Sequence, residues 1–331
     1  MIGAIAAKEF RDYITSRRFL VLFGFLLLIT LLALAQVKTG MMSWMTEEGE
    51  SPEVYEVMWG VTHYLGLAGG IFALALGFDA ITREREERTL KVLMGHPVYR
   101  DQIILGKLIG GAVTLAVAVF ITFLVILGAL MWMGVNVDGT SVTRLAVYFL
   151  FAYVYLLVFF GIAVAFSAHS KSSGNALMYA LVLFLAVTVV FESIAPIVAD
   201  HVAGPRPQPP TYDPGNFENV TLEQLKEQEK LWEEYEEQMK EWSKKYFETV
   251  ETISSLSPQA DFEQISQYVL NPHARSWEDV MFPIGMDDSE EPAYSLAESL
   301  SFAKKEIVFL MAYLVVSFVA AYLGFVRAEI R

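Results

Sequence analysis

The chain has 331 residues, 54% hydrophobic and 19% charged, with a mean hydropathy of +0.42 and a net charge of −14. Such an apolar excess excludes an ordinary soluble domain. The lack of cysteine excludes disulfides, thiol catalysis and cysteine-held metals.

Residues 4–18 place Ile5, Ala6, Phe10, Tyr13 and Ile14 on one helical face, with Lys8, Arg11, Arg17 and Arg18 toward headgroups. The pattern predicts a helix lying in the membrane interface and turning into a first span. Six apolar runs follow, at 19–36, 61–78, 108–133, 145–166, 174–195 and 307–326. Each is about 20 residues, the length that crosses a ~30 Å hydrocarbon core. The first is too long for a signal-peptide core and lacks a small-residue cleavage site, so it is expected to be a retained span.

Between the first two runs, Met41, Met42 and Met45 surround Trp44. Clustered thioethers can bind Cu(I); a Met/Trp cluster at the membrane interface is the simpler reading, and no metal or cofactor site is assigned.

Residues 79–107, DAITREREERTLKVLMGHPVYRDQIILGK, exceed what a turn needs. Thr82 can cap a helix, with Glu84 and Glu86 near its positive end. Glu84→Arg88 and Glu87→Lys91 have favourable i,i+4 spacing. Gly95 and Pro97 mark the stop, and Leu90, Leu93 and Met94 form an apolar tip. Glu86 reads as a solvated flank. The alternative is a solvated charged turn.

After the fifth run, residues 205–214 are proline-rich, and 217–256 carry a helical pattern. Heptad a positions are Leu225, Trp232, Met239, Tyr246 and Ile253; d positions are Gln228, Tyr235, Trp242, Thr249 and Leu256. This stripe is expected to pack within its own domain or on a partner subunit. Pro258 breaks the pattern before a short amphipathic helix through Phe262, Ile265 and Val269. Asn219-Val220-Thr221 is a glycosylation sequon.

Charge predicts the orientation. With the N-terminus inside, the inner pieces (1–18, 79–107, 167–173, 327–331) hold 13 Lys+Arg against 8 Asp+Glu. The outer pieces (37–60, 134–144, 196–306) hold 11 against 29. Both termini are therefore expected in the cytoplasm of a cell-membrane protein, despite Lys304 and Lys305 at the outer end of the last span. The expected fold is an all-α membrane protein with six transmembrane helices, an N-terminal interfacial helix and a helical extracytoplasmic domain between spans five and six. Residues 1–195 hold spans one to five, 196–306 the acidic exterior domain, and 307–331 the last span.

A membrane-embedded enzyme would need catalytic groups gathered at one depth. Only His63 and Glu192 lie within the runs, in different spans, and neither HExxH nor GxSxG occurs. Glu192 is placed near the outer surface, where it can snorkel. No G-x-x-x-x-G-K-[ST] occurs either; Gly106-Lys107 continues with Leu108 into a span.

Three segments, KEFRDYITSRRF (8–19), RTLKVLMGHPVYRDQIILGK (88–107) and SAHSKSSGNA (167–176), together resemble the permease subunit of type-two ABC exporters, particularly the multicopper-enzyme-maturation subfamily. SPQADFEQISQYVLNP (257–272) also looks like segments of archaeal members. The resemblance implies two permease subunits paired in the lipid bilayer and two separate ABC ATPase subunits beneath, which bind the ATP and Mg. It implies no enzymatic site in this chain and no nucleic-acid partner. The coupling role is carried onto 83–94, with Arg83, Glu84, Glu87, Arg88, Leu90, Leu93 and Met94 as the ATPase-facing set. Many relatives place the large exterior domain between spans one and two instead. The competing reading is a membrane-anchored sensor or assembly platform with a ligand-binding exterior domain. Neither reading names a substrate.

Overall fold

The computed structural model describes residues 2–38, 53–87, 99–210, 222–274 and 293–327, and every element among them is helical. Helices α1 (Ile2–Ile14) and α2 (Arg17–Lys38) precede α3 (Val54–Gly77), its short continuation α4 (Thr82–Glu86), α5 (Arg100–Met133), α6 (Gly139–His169) and α7 (Ser173–Leu185). A π-helical segment, Ala186–Val190, leads into α8 (Phe191–Ala203). Then come α9 (Leu222–Ser254), α10 (Pro258–Leu270), α11 (Leu296–Phe302) and α12 (Lys304–Arg327).

Six stretches are long and apolar enough to cross a membrane: Arg17–Gln36, Val54–Glu86, Arg100–Met133, Gly139–His169, Ser173–Ala203 and Lys304–Arg327. The expected all-α membrane protein with six spans is borne out. Each helix runs past its apolar core because helical geometry pairs backbone N–H and C=O groups whether or not the side chains are apolar. The 34-residue α5 is about 51 Å long, and its start, 100–107, belongs to the segment expected as a loop. Gly134 ends it in the left-handed region at φ 84°, and the Val135 N–H donates to the Leu130 carbonyl at 3.2 Å.

Two compact units form, Met1–Thr188 with Pro258–Arg331, and Val189–Ser257. The larger is built on α6, which contacts α3, α5, α7, α10 and α12. Its Tyr148, Tyr155, Phe159 and Phe160 are fully buried. Lipid offers no hydrophobic drive for helix association, so close approach at small residues carries the packing. A Cβ on Gly77 would meet the Phe160 carbonyl oxygen at 2.8 Å, and one on Gly111 would meet the Phe160 ring at 2.0 Å.

Helix α10 folds with this larger unit. Its apolar face was legible as Phe262, Ile265 and Val269, and those three residues are fully buried. The Phe262 ring stacks on Tyr155 at 4.9 Å and lies 5.6 Å from Tyr148. Tyr155 is sixteen residues along α6 from Gly139, about 24 Å at 1.5 Å per residue, so α10 lies deep beside the spans. Buried Arg144 of α6 closes the C-terminal end of α10, donating to the Val269 carbonyl at 2.8 Å, to the Tyr294 carbonyl and to Ser299 Oγ at 3.3 Å. The domain limits 195 and 306 were drawn for the membrane; the compact units follow packing and divide after 188 and after 257.

In the smaller unit α9 packs on α8. Trp242 donates from Nε1 to the Gly204 carbonyl at 2.9 Å, stacks on Tyr246 at 5.0 Å and lies under the Arg206 guanidinium at 5.8 Å. These are stripe positions, half-buried by their own unit. Trp232, on the same stripe, is 43% exposed. Glu192 is half-buried at the start of α8.

Candidate functional site

The end of the larger unit that carries α1 is here called the N-terminal face. Helix α1 lies against α5 because two glycines one turn apart clear a path for it. A Cβ on Gly106 would sit 2.5 Å from Ile5 Cγ2, and one on Gly110 2.7 Å from Glu9 Cβ and 2.9 Å from the Ala6 carbonyl oxygen. The approach buries Glu9. Its partner follows Gly106 directly: Lys107 Nζ donates to Glu9 Oε1 at 3.0 Å and to Glu84 Oε1 at 2.7 Å. The Lys107 side chain is 3% exposed. One ammonium thus ties α1, α4 and α5 together, and its two carboxylate partners offset the desolvation that a lone buried charge would suffer. Lys8 Nζ, 3.6 Å from Glu9, completes the balance. Tyr13 is half-buried, with its hydroxyl oxygen fully enclosed near Glu9, Asp79 and Glu84; burial first and then those carboxylates push its phenol well above the usual value, so it stays protonated. Next to it, Arg18 pairs with Asp79 and lies 5.3 Å from the centre of the Phe78 ring.

A second set of bonds fixes α4 to the turn between α6 and α7. The chain kinks between α3 and α4, which frees backbone donors; Ser167 Oγ accepts from the Ile81 and Thr82 N–H groups at 3.0 and 3.1 Å. Arg85 donates to the Ser170 carbonyl at 2.6 Å and the Ala168 carbonyl at 3.3 Å, placing a cation at the C-terminal end of α6. Glu86 accepts from the Ser173 N–H at 2.8 Å and from its hydroxyl at 2.9 Å, placing an anion at the N-terminal end of α7. Arg100, at the start of α5, donates to the Val326 carbonyl of α12 at 3.3 Å.

Between α1, α2, α3 and α4 lies a cleft of about 660 Å³. Its charged lining is Lys8, Arg17, Arg18, Arg83 and Lys107 against Glu9, Asp12, Asp79, Glu84 and Glu87. The signs balance and most partners are committed internally, so the cleft is a mechanical joint rather than an anion site. Of the three segments singled out in the sequence, 8–19, the described part 99–107 of the second, and 167–176 converge at this face.

Residues 3–330 match the family described as ABC-2 family transporter protein. The chain belongs to that family. Two relatives are each described as a probable ABC transporter permease protein NosY. The one from Stutzerimonas stutzeri is 47% identical over 53 residues, 16% of this chain and 19% of that protein. The one from Pseudomonas aeruginosa is 30% identical over 123 residues, 37% of this chain and 45% of that protein. The chain therefore spans less than half the length of these curated relatives.

In this ABC-2 protein the expected coupling set is divided. Arg83 and Glu87 form an exposed pair at 3.0 Å, and Glu84 turns inward to Lys107. Arg88, Leu90, Leu93 and Met94 lie outside the described residues, as do Lys91, Met41, Met42, Trp44, Met45 and the sequon at 219–221. One local reading is corrected. Thr82 does not occupy the cap position, which belongs to Ile81; its hydroxyl lies 3.3 Å from both the Phe78 carbonyl oxygen and Ser167 Oγ. Glu86 is exposed, as its reading as a solvated flank expects, and its carboxylate also accepts from Ser173. Glu9, Arg85, Lys107, Ser167 and Ser173 were missed. A signal for Glu9 existed: it falls on the same helical face as Ile5, Ala6 and Tyr13, an acid in the apolar stripe that needs a cation.

Proposed function

We propose that this chain is the membrane-spanning permease subunit of an ATP-driven exporter, with its N-terminal face in the cytoplasm. In this reading ATPase subunits dock on α4 and on 88–98, and α1 and α5 pass the motion into the spans through Lys107. Two permease subunits pair in the bilayer, and the ATPases bind the ATP and Mg. The observation that carries the reading is that 8–19, 99–107 and 167–176, the described parts of three family-like segments, meet at one ion-paired joint. A charge-locked junction fits transmission, since it makes α1, α4 and α5 move as a unit. Supporting it, the positive charge of the pieces on this face follows the positive-inside rule, and the sequence has no phosphate-binding loop, so the energy must come from a partner. The export direction rests on the resemblance to type-two exporters.

The test replaces Leu93 with aspartate. An apolar anchor at an interface contributes more than rim charges do, so Leu93→Asp should reduce ATPase co-purification about tenfold or more, a loss of about 1.4 kcal/mol, at equal membrane levels. Lys171→Ala, an exposed charge on the same face, should leave it unchanged. Because the ATPase works from the cytoplasm, the same loss places this face inside. Undiminished association would remove the coupling role and favour the sensor or platform reading.

A further inference from the structure

Helix α10 carries an acid that its seat does not accommodate as a charge. Asp261 is 1% exposed, and neither of its carboxylate oxygens has a hydrogen-bond partner. It faces α12, where buried Glu306 adds a second carboxylate and exposed Lys305 offers distant compensation. The other helices around α10 have their charges committed elsewhere. His63 of α3 lies with Nδ1 3.0 Å from Glu263 Oε1, and Gln259 Nε2 donates to that same oxygen at 2.9 Å. Arg144 of α6 holds backbone carbonyls, and Glu298 of α11 caps its own helix with Ser295.

We propose that Asp261 is a proton-binding site that latches α10 into the bundle: with its proton the carboxyl is neutral against α12, and without it two buried carboxylates repel and drive α10 from its seat. An ionised carboxylate without hydrogen bonds in an apolar site is strongly disfavoured. Burial first, then the Glu306 charge, pushes the Asp261 carboxyl up to about 8. In the released state its pKa returns to about 3.9. The folded value lies above the released value, so the latch is at full strength below about pH 4, weakens as pH rises, and loses nothing more above about pH 8. Within that window each pH unit shifts the seated-to-released ratio about tenfold. The site does not depend on the export reading; it makes the seating of α10 responsive to proton concentration.

The chain has no native cysteine, so one thiol can report the seat. Ser266, 1% exposed and donating to the Phe262 carbonyl, changes least as Ser266→Cys. An exposed reference, Asn136→Cys, corrects for the thiol's own ionisation. In full-length protein in lipid nanodiscs, the labelling rate of Ser266→Cys relative to Asn136→Cys should rise about tenfold per unit from pH 6 to 8. Adding Asp261→Asn, which keeps the shape and removes the titration, should flatten that rise to within about twofold. The melting temperature of cysteine-free protein should likewise fall over this range, and stay level with Asp261→Asn. A pH-independent ratio would overturn the latch. An equal rise with and without Asp261→Asn would also overturn it, by showing that another group carries the pH dependence.

Discussion

Lys107→Met is expected to loosen the N-terminal face more than any other single charge removal. The methionine stem replaces most of the packing, so the loss is the ammonium alone. Glu9, buried, and Glu84, half-buried, would then lose the cation that sits 3.0 and 2.7 Å from them. Removing one partner of a buried ion pair destabilises by roughly 3–5 kcal/mol, a large fraction of a typical total stability of about 5–15 kcal/mol. The expected outcome is a low melting temperature, poor membrane accumulation, and no ATP-driven transport from the protein that survives. Adding Glu84→Gln removes one stranded charge and should recover part of the stability while leaving the joint uncoupled. Size-exclusion profiles and thermal melts of the detergent-extracted chain check both variants. A Lys107→Met protein as stable as the parent would show that the triad contributes nothing.

Gly111→Ala should be nearly as severe, for a steric reason. The new methyl would lie 2.0, 2.6 and 2.8 Å from three atoms of the Phe160 ring. The Phe160 ring is fully buried, and its opposite side lies against α3, where Cδ2 is 3.2 Å from the position of a Cβ on Gly77. So α5 must move off α6, at about 1–3 kcal/mol or more for overpacking. Phe160→Leu in the same chain shortens the ring position and should restore part of the melting temperature. No difference between single and double variants would mean that the contact is not what α5 and α6 rest on.

Much of this architecture was legible because lipid enforces simple rules. Six runs of apolar residues became six spans, and the stripe through Phe262, Ile265 and Val269 became a buried face. What those faces would meet was not legible. Nothing local to 258–270 announces that Phe262 stacks on Tyr155, because the pairing is set by the tertiary arrangement of α6 and α10. The joint was half-legible for the same reason. Glu84 was read against Arg88, which lies outside the described residues; what spacing along the chain did not show is Lys107, brought to Glu84 by the return of α5 past α4. An i,i+4 pair is visible in a sequence because its partners are one turn apart; Lys107 is 23 residues from Glu84 and is met only through the tertiary fold. Glu86 is solvated as read, but its bond to Ser173 at the N-terminal end of α7, 87 residues away in sequence, was not legible.

The measurement that bears most directly on the permease reading is the composition of the intact assembly. Extracted from its native membrane in mild detergent and purified through this chain, the complex should contain a second polypeptide carrying G-x-x-x-x-G-K-[ST]. That polypeptide should be present in equal number to the permease subunits, two of each, and should hydrolyse ATP. A homogeneous, folded preparation with no nucleotide-binding partner would contradict it.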